Sequence, residues 1–301
     1  MKAVSVINYK GGVGKTTLTA NLAADMARQG KSVLVIDLDP QTNLTFSFVK
    51  PDEWETQYAK KNRTIKFWFD SIIWQNGNTP RPHFEDLVFT KYGIDIISSH
   101  LGLIDVDLDL AAQTAGGSLN HQIRSQFATY SYIKEELVHL EDKYDIVLFD
   151  CPPNFGTVTR NAIIASDYYV VPAKMDYLST LGINYLENHV QGLVKDYNGY
   201  VEILGYPKSK CVHPESLGVI ATMVQYFGGV PIRAIQSQID ELTRNGLTVF
   251  DWMVRENKTF FSEALEASKP VVLYYPSDST RSNIVEELEF LTMEFMKKVG
   301  L

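Results

Sequence analysis

Residues 8–17 read NYKGGVGKTT, and the stretches on either side of this loop restrict the chain to very few architectures. Before it, AVSVIN (residues 3–8) is a short β-branched run suited to a buried strand. After it, residues 16–29 carry Leu18, Leu22 and Met26 four apart in an alanine-rich stretch, the spacing of a helix that Gly30 ends. A second buried strand, SVLVID, follows over 32–37. Strand, glycine loop, helix and strand in direct succession make a βαβ unit. The sequence therefore predicts an α/β fold: a mostly parallel twisted sheet with helices on both faces.

Gly11, Gly12 and Gly14 let the backbone curl so that successive N–H groups converge at the positive end of the following helix, a concave anion site. In such a loop Lys15 reaches the β- and γ-phosphates of a nucleotide, and the Thr16 hydroxyl ligates Mg²⁺ bridging the same oxygens. The pattern G-x-x-x-x-G-K-[ST] has Tyr9 where its first glycine belongs, and Lys10 follows. A side chain at position 10 points away from its own phosphates and across the mouth of the site. Two readings stay open: an idle, solvated lysine, or one that reaches a nucleotide held by a second subunit, as an arginine finger does in trans.

The α/β rhythm recurs. GIDIIS (93–98), YDIVLFD (144–150), DYYVVPA (167–173), LGVIATMV (217–224) and VVLYYP (271–276) read as strands. Residues 131–143 and 281–299 read as amphipathic helices, the latter with Ile284, Leu288, Leu291 and Phe295 on one side. Residues 64–74 carry helix-spaced bulk (Phe67, Trp68, Phe69, Trp74) that a core-facing helix explains, and 76–82 reads as a loop. One P-loop domain over 1–301, elaborated at about 50–90, is expected.

Ligands of such sheets sit at the carboxyl ends of the strands. There DLDPQTN (37–43) places Asp37 and Asp39 at i and i+2, a pair suited to holding a magnesium-bound water and facing an attacking water. Asp150 ends a later strand just before Pro152 and Pro153. Cys151 and Cys211 are too few and too far apart for a disulfide framework or a C-x-x-C metal site. No apolar run approaches the ~20 residues that cross a bilayer, and the chain passes from Met1-Lys2 straight into a strand, so a cytoplasmic protein is expected. A net charge of −8 gives no prior for wrapping a polyanion.

KGGVGKTT at 10–17 resembles the deviant Walker A box of the ParA/MinD family of ATPases, whose hallmark is the extra lysine. The resemblance implies an ATPase that binds ATP and Mg²⁺ and sandwiches two ATP molecules in a homodimer, with Lys10 contacting the partner's nucleotide. It implies that Lys10, Gly11, Gly12, Val13, Gly14, Lys15, Thr16 and Thr17 form the phosphate site. DLDPQTN resembles the family's switch I, with Asp39 orienting the hydrolytic water, and 144–153 resembles Walker B and switch II, with Asp150 in the magnesium shell. Thr16, Asp37, Asp39 and Asp150 are thus the expected metal set. YYPSDST (274–280) resembles the stretch that lines adenine, which makes Pro276 and Asp278 base contacts. The match covers nearly the whole chain except about 50–90.

Within the family, a ParA-type protein is expected: an ATP-bound dimer on non-specific nucleoid DNA, released when a ParB-like or other cargo adaptor stimulates hydrolysis, so that plasmids, chromosomes or other cargo are segregated or positioned. Lys195, Lys208, Lys210, Arg233, Arg244, Arg255 and Lys258 are the phosphate-contact residues considered. With the loop opening at residue 10 there is no room for an N-terminal helix-turn-helix, so sequence-specific DNA reading is not expected. A MinD-like membrane cycle is the alternative, but the tail EELEFLTMEFMKKVGL sets four glutamates against Lys297 and Lys298, so membrane binding is not expected. A cluster-binding relative would need a second cysteine near Cys151, and a tyrosine-kinase relative a tyrosine-rich tail beyond Tyr275.

Overall fold

The computed structural model describes residues 1–74, 81–276 and 278–301. Most of the loop expected over 76–82, and Ser277, therefore lie outside the described residues. The strands are β1 Lys2–Val6, β2 Val33–Asp37, β3 Phe89–Lys91, β4 Ile94–Ile97, β5 Ile146–Asp150, β6 Tyr168–Lys174 and β7 Glu215–Thr222, with a short hairpin of β8 Tyr226–Phe227 and β9 Val230–Pro231. The helices are α1 Lys15–Arg28, α2 Asn43–Phe46, α3 Pro51–Gln57, α4 Ile65–Ile73, α5 Phe84–Leu87, α6 Leu103–Gln113, α7 Leu119–Leu137, α8 Thr157–Ala165, α9 Tyr177–Ile203, α10 Arg233–Arg244, α11 Lys258–Glu266 and α12 Ser279–Val299.

One seven-stranded sheet runs β3-β4-β2-β5-β1-β6-β7, and β3 alone is antiparallel, pairing with β4 at the edge. Every residue of β2 and of β5 is buried, as continuous apolar strands covered on both faces require. The two-residue strand period divides the core. Leu34, Ile36, Val147 and Phe149 face the layer of α4, α6, α7, α8 and α9. Val33, Val35, Ile146 and Leu148 face α1, α11 and α12.

The register matters for chemistry. Asp37 pairs with Asp150, and Val6 pairs with Asp150 from the other side, so two carboxylates and the entrance to the glycine loop end at the same level of the sheet.

The segment at 50–90 contributes to the core. Trp54, Tyr58, Trp68, Phe69, Phe84 and Leu87 are buried, Phe67 packs against the core layer that holds Trp68, Phe69, Phe84 and Leu87, and Trp74 is exposed. Thr64 caps α4 by accepting from Phe67 N at 3.4 Å. The expected helix at 131–143 is the end of the longer α7, followed by a 3-10 turn over Val138–Leu140. The expected strand at 271–276 does not form: Val271–Leu273 is a 3-10 turn, and Val272 N donates to Asn21 Oδ1 of α1 at 3.1 Å. The apolar run reads as a strand, but its amide is satisfied by a helix side chain.

Candidate nucleotide-binding site

The glycine loop leaves β1 and enters α1 with Gly12 at φ 70° and Gly14 at φ 84°, left-handed values that glycine adopts without steric cost. Gly14 precedes α1, and no side chain caps that helix. Its first N–H groups are therefore left for an anion. From β7, Thr222 Oγ1 donates to Val13 O at 2.7 Å and fixes the loop to the sheet. Asn8 holds the loop from below: its Nδ2 donates to Pro172 O at 2.8 Å, and its Oδ1 accepts from Lys10 N at 2.9 Å.

Lys15 is buried, with Nζ donating to the carbonyls of Asn8 at 3.2 Å and Lys10 at 3.4 Å. Burial lowers its pKa, and the carboxylates of Asp150 and Asp39 act against that shift. Thr16 Oγ1 donates to Asp150 Oδ2 at 2.7 Å. Asp150 is fully buried, and desolvation raises its pKa to about 7 against the opposing pull of Thr16 and Lys15. Its Oδ1 is buried and, among the described residues, has no hydrogen-bond partner. An orphaned carboxylate oxygen beside a threonine hydroxyl fits a hydrated divalent cation, so the donor set suits Mg²⁺.

Asp39 is buried and lines the cleft; its Oδ1 accepts from Gln41 N at 2.9 Å, and Ser99 Oγ donates to its carbonyl at 2.7 Å. Asp37 differs from expectation. Its Oδ1 accepts from Asp39 N at 3.1 Å, and its Oδ2 accepts from Thr45 N at 2.8 Å and Thr45 Oγ1 at 2.7 Å. That carboxylate folds the turn after β2 and is not turned to the cleft. Burial and the neighbouring Asp150 push its pKa well up.

The cleft above the loop measures about 630 Å³, a size that holds a nucleotide. Gly11, Gly12, Gly14, Lys15, Thr16 and Thr17 line its phosphate end, together with Asp39 and Pro153. Its far end is lined by Met223, Val254, Arg255, Asn257, Phe261 and Pro270. Pro276 and Asp278, expected at the base, are not among the lining residues. Asp278 instead caps α12, accepting from Arg281 N at 2.9 Å and pairing with Arg281 Nε at 3.3 Å. The turn at Val271–Leu273 precedes those two positions, and residues around α11 line that part of the cleft.

Lys10 lies outside the cleft lining. Its Nζ is 2.8 Å from Asp176 Oδ2 and 3.0 Å from Ser179 Oγ, at the start of α9. Next to it, the Tyr9 hydroxyl hydrogen-bonds His189 Nδ1 of α9, and the Tyr9 ring meets Phe155 edge-on. Tyr9 thus uses the position of the missing glycine to tie the loop to α9. Asp176, Ser179, Asn8, Thr222 and Asn21 escaped sequence reasoning; only their distant partners reveal them. Cys151 is buried and burial pushes its thiol up, which leaves it unreactive.

A family model described as an AAA domain matches residues 1–203. The chain is 28% identical over 279 residues to the sporulation initiation inhibitor protein Soj of Bacillus subtilis, covering 91% of this chain and 92% of Soj. It is 27% identical over 275 residues to the chromosome partitioning protein ParA of Caulobacter vibrioides, covering 91% and 87%. Among solved structures, an ATP complex of McdA from Cyanothece shares the fold with a TM-score of 0.70 and 21% identity, covering 100% of this chain and 97% of that one. With its glycine loop, paired strand-end carboxylates and extra lysine, the chain belongs to the ParA/MinD family of deviant Walker A ATPases.

Proposed function

We propose that this chain, as one P-loop unit, is an ATP-driven positioning switch of the ParA type. The observation that carries the reading is Lys10, which stands at the mouth of the cleft beside an exposed apolar surface at the start of α9: Tyr177, Leu178, Leu181 and Tyr185 are 62%, 72%, 43% and 66% exposed. So much exposed apolar surface is costly unless a partner covers it. A second copy docked there brings each Lys10 to the other's triphosphate, and ATP then favours the dimer because it makes contacts that exist only in that state.

In this reading the loop amides and Lys15 hold the phosphates, Lys15 exchanging its bonds to the Asn8 and Lys10 carbonyls for phosphate oxygens. Thr16 and Asp150 would hold Mg²⁺, which when bound neutralises charge on the β- and γ-oxygens. Asp39 orients the attacking water, while Asp37 keeps the Asp39 backbone in place. Hydrolysis is slow alone and faster with a cargo adaptor.

Non-specific DNA is the proposed track, on the strength of the relatives named for partitioning. The basic residues are spread over several elements: Lys195 is in α9, Arg233 and Arg244 in α10, and Lys258 in α11. Lys208 and Lys210 precede β7, at the end of the sheet opposite the cleft, while Lys258 opens α11 beside it and is 88% exposed. Arg255 pairs with Glu287 at 2.5 Å. Dimerisation would double whichever cluster faces DNA. The membrane alternative loses support at α12, where Leu288, Leu291, Phe295 and Met296 are buried and Phe290 stacks on Trp252. No helix among the described residues is long and apolar enough to cross a membrane. Mobility shift on random duplex DNA and sedimentation with anionic vesicles, each with and without ATP, test the reading: ATP-dependent retention on DNA supports it, and retention on vesicles alone overturns it.

A further inference from the structure

Away from the nucleotide cleft, three side chains with metal-binding chemistry converge. His83, Glu136 and His139 offer ligand atoms that all lie within 4.8 Å of one another, and none of the three lines the cleft. Among the described residues this is the one such group. Glu136 and His139 are three positions apart (i, i+3) at the end of α7 and the turn after it, so both project from one side of the chain. His83 comes from the loop before α5, where its own N–H donates to Asp86 Oδ2 at 2.8 Å and fixes its backbone.

We propose that His83, Glu136 and His139 form a binding site for a divalent transition metal, with Zn²⁺ the best match. Two imidazoles and one carboxylate are the donor set of open tetrahedral zinc sites, whose fourth position water takes. Oxygen-preferring Mg²⁺ has little claim on it. Three features favour the arrangement. The Glu136 carboxylate is 5% exposed and is oriented by Phe84 N, which donates to Oε1 at 2.9 Å, the kind of support that metal-binding carboxylates receive. His83 Nδ1 already lies 3.0 Å from the same oxygen, so the metal replaces one hydrogen bond rather than opening a packed core. Both imidazoles are exposed, and their ring centroids stand 5.1 Å apart. In a tetrahedral set with bonds of 2.0–2.1 Å the ligand atoms stand about 3.4 Å apart, a closure that rotation of two surface imidazoles supplies.

The opposing effect is Arg81, whose Nη2 is 3.8 Å from Glu136 Oε2 while its guanidinium lies 4.6 Å over the Trp68 ring. A dication bound at Oε1 is repelled by that charge, so micromolar rather than tighter affinity is expected. Bound metal would staple the segment that leads into edge strand β3 to the end of α7.

The test uses the full chain, stripped with chelator and kept in excess Mg²⁺ so that the nucleotide site is blocked. Co²⁺ is titrated while its visible d–d absorption is followed, and Zn²⁺ is titrated by calorimetry. One equivalent should bind, with the intense visible bands of a four-coordinate site, and Zn²⁺ should raise the thermal unfolding midpoint. His83→Ala and His139→Ala replace exposed side chains, so the fold survives, and each should weaken binding about tenfold or more, as loss of a ligand requires. Absence of binding in the unaltered chain overturns the proposal, as does unchanged stoichiometry and affinity in the double variant.

Discussion

The Lys10 ammonium is held 2.8 Å from the Asp176 carboxylate of its own chain, across 166 residues of sequence, at the edge of the ATP cleft. To serve a partner's nucleotide, Lys10 must leave this pair. Their side chains are 43% and 35% exposed, so the pair is worth about 0.2–1 kcal/mol, small enough for a triphosphate to outbid. Asp176→Asn keeps the cap on Ser179 N but removes the charge. Two such pairs break per dimer, so dimerisation with a non-hydrolysable ATP analogue should tighten, by up to about thirtyfold. Sedimentation equilibrium reads the change, and weaker association would show that Asp176 assists the dimer instead.

Lys15 and Asp39 should separate binding from turnover. Lys15→Ala should abolish nucleotide binding in calorimetry, since its ammonium is the buried cation at the phosphate end. Asp39→Ala should still bind ATP but hydrolyse it about 10²–10³-fold more slowly, the usual scale for losing a group that handles the reacting water. Normal turnover in Asp39→Ala would remove it from the mechanism.

Asp107 of α6 accepts from Val158 N at 2.9 Å and so caps α8, the helix that follows Asp150 and the two prolines. A Cβ at Gly156 would fall 2.0 Å from Asp107 Oδ2. Gly156→Ala should therefore destabilise the protein by about 1–3 kcal/mol through forced displacement. In an Asp107→Ala background the same change should cost far less, a non-additivity that denaturant unfolding of the four proteins measures. Equal costs in both backgrounds would remove the clash as the cause.

Asp150 gives the nucleotide-free protein a specific pH response. Its pKa rises from 3.8 to about 7 on folding, so between those values the folded state binds the extra proton. Its contribution to stability is full below the unfolded value and is lost as pH rises through about 7. Relative to Asp150→Asn, whose side chain does not titrate, the thermal midpoint without ligand should fall between about pH 4 and about pH 7 and level off above it. A midpoint that rises across this range would contradict the assignment.

What contiguous sequence carries was legible as local structure: the glycine curl at Gly11–Gly14 between β1 and α1, Lys15 and Thr16 opening that helix, and Asp150 at the end of β5. Each follows from a local rule linking strand, turn and helix. What closes the site was not legible, because Asp176, Thr222 and Asn21 meet their partners across 166, 209 and 251 residues. Asp37 looked like a metal group because spacing cannot tell a carboxylate aimed at the cleft from one that binds its own turn. The misread strand at 271–276 has the same origin: β-branched residues satisfy strand propensity, while Asn21 takes the backbone amide that a sheet would have needed.

The decisive measurement is the mass of the nucleotide-bound protein with and without the extra lysine. Light scattering should find the unaltered chain monomeric alone and dimeric with a non-hydrolysable ATP analogue, and Lys10→Ala monomeric in both while still binding the analogue. If Lys10→Ala dimerises as readily as the unaltered chain, that lysine does not serve a neighbouring molecule and the switch works by other means.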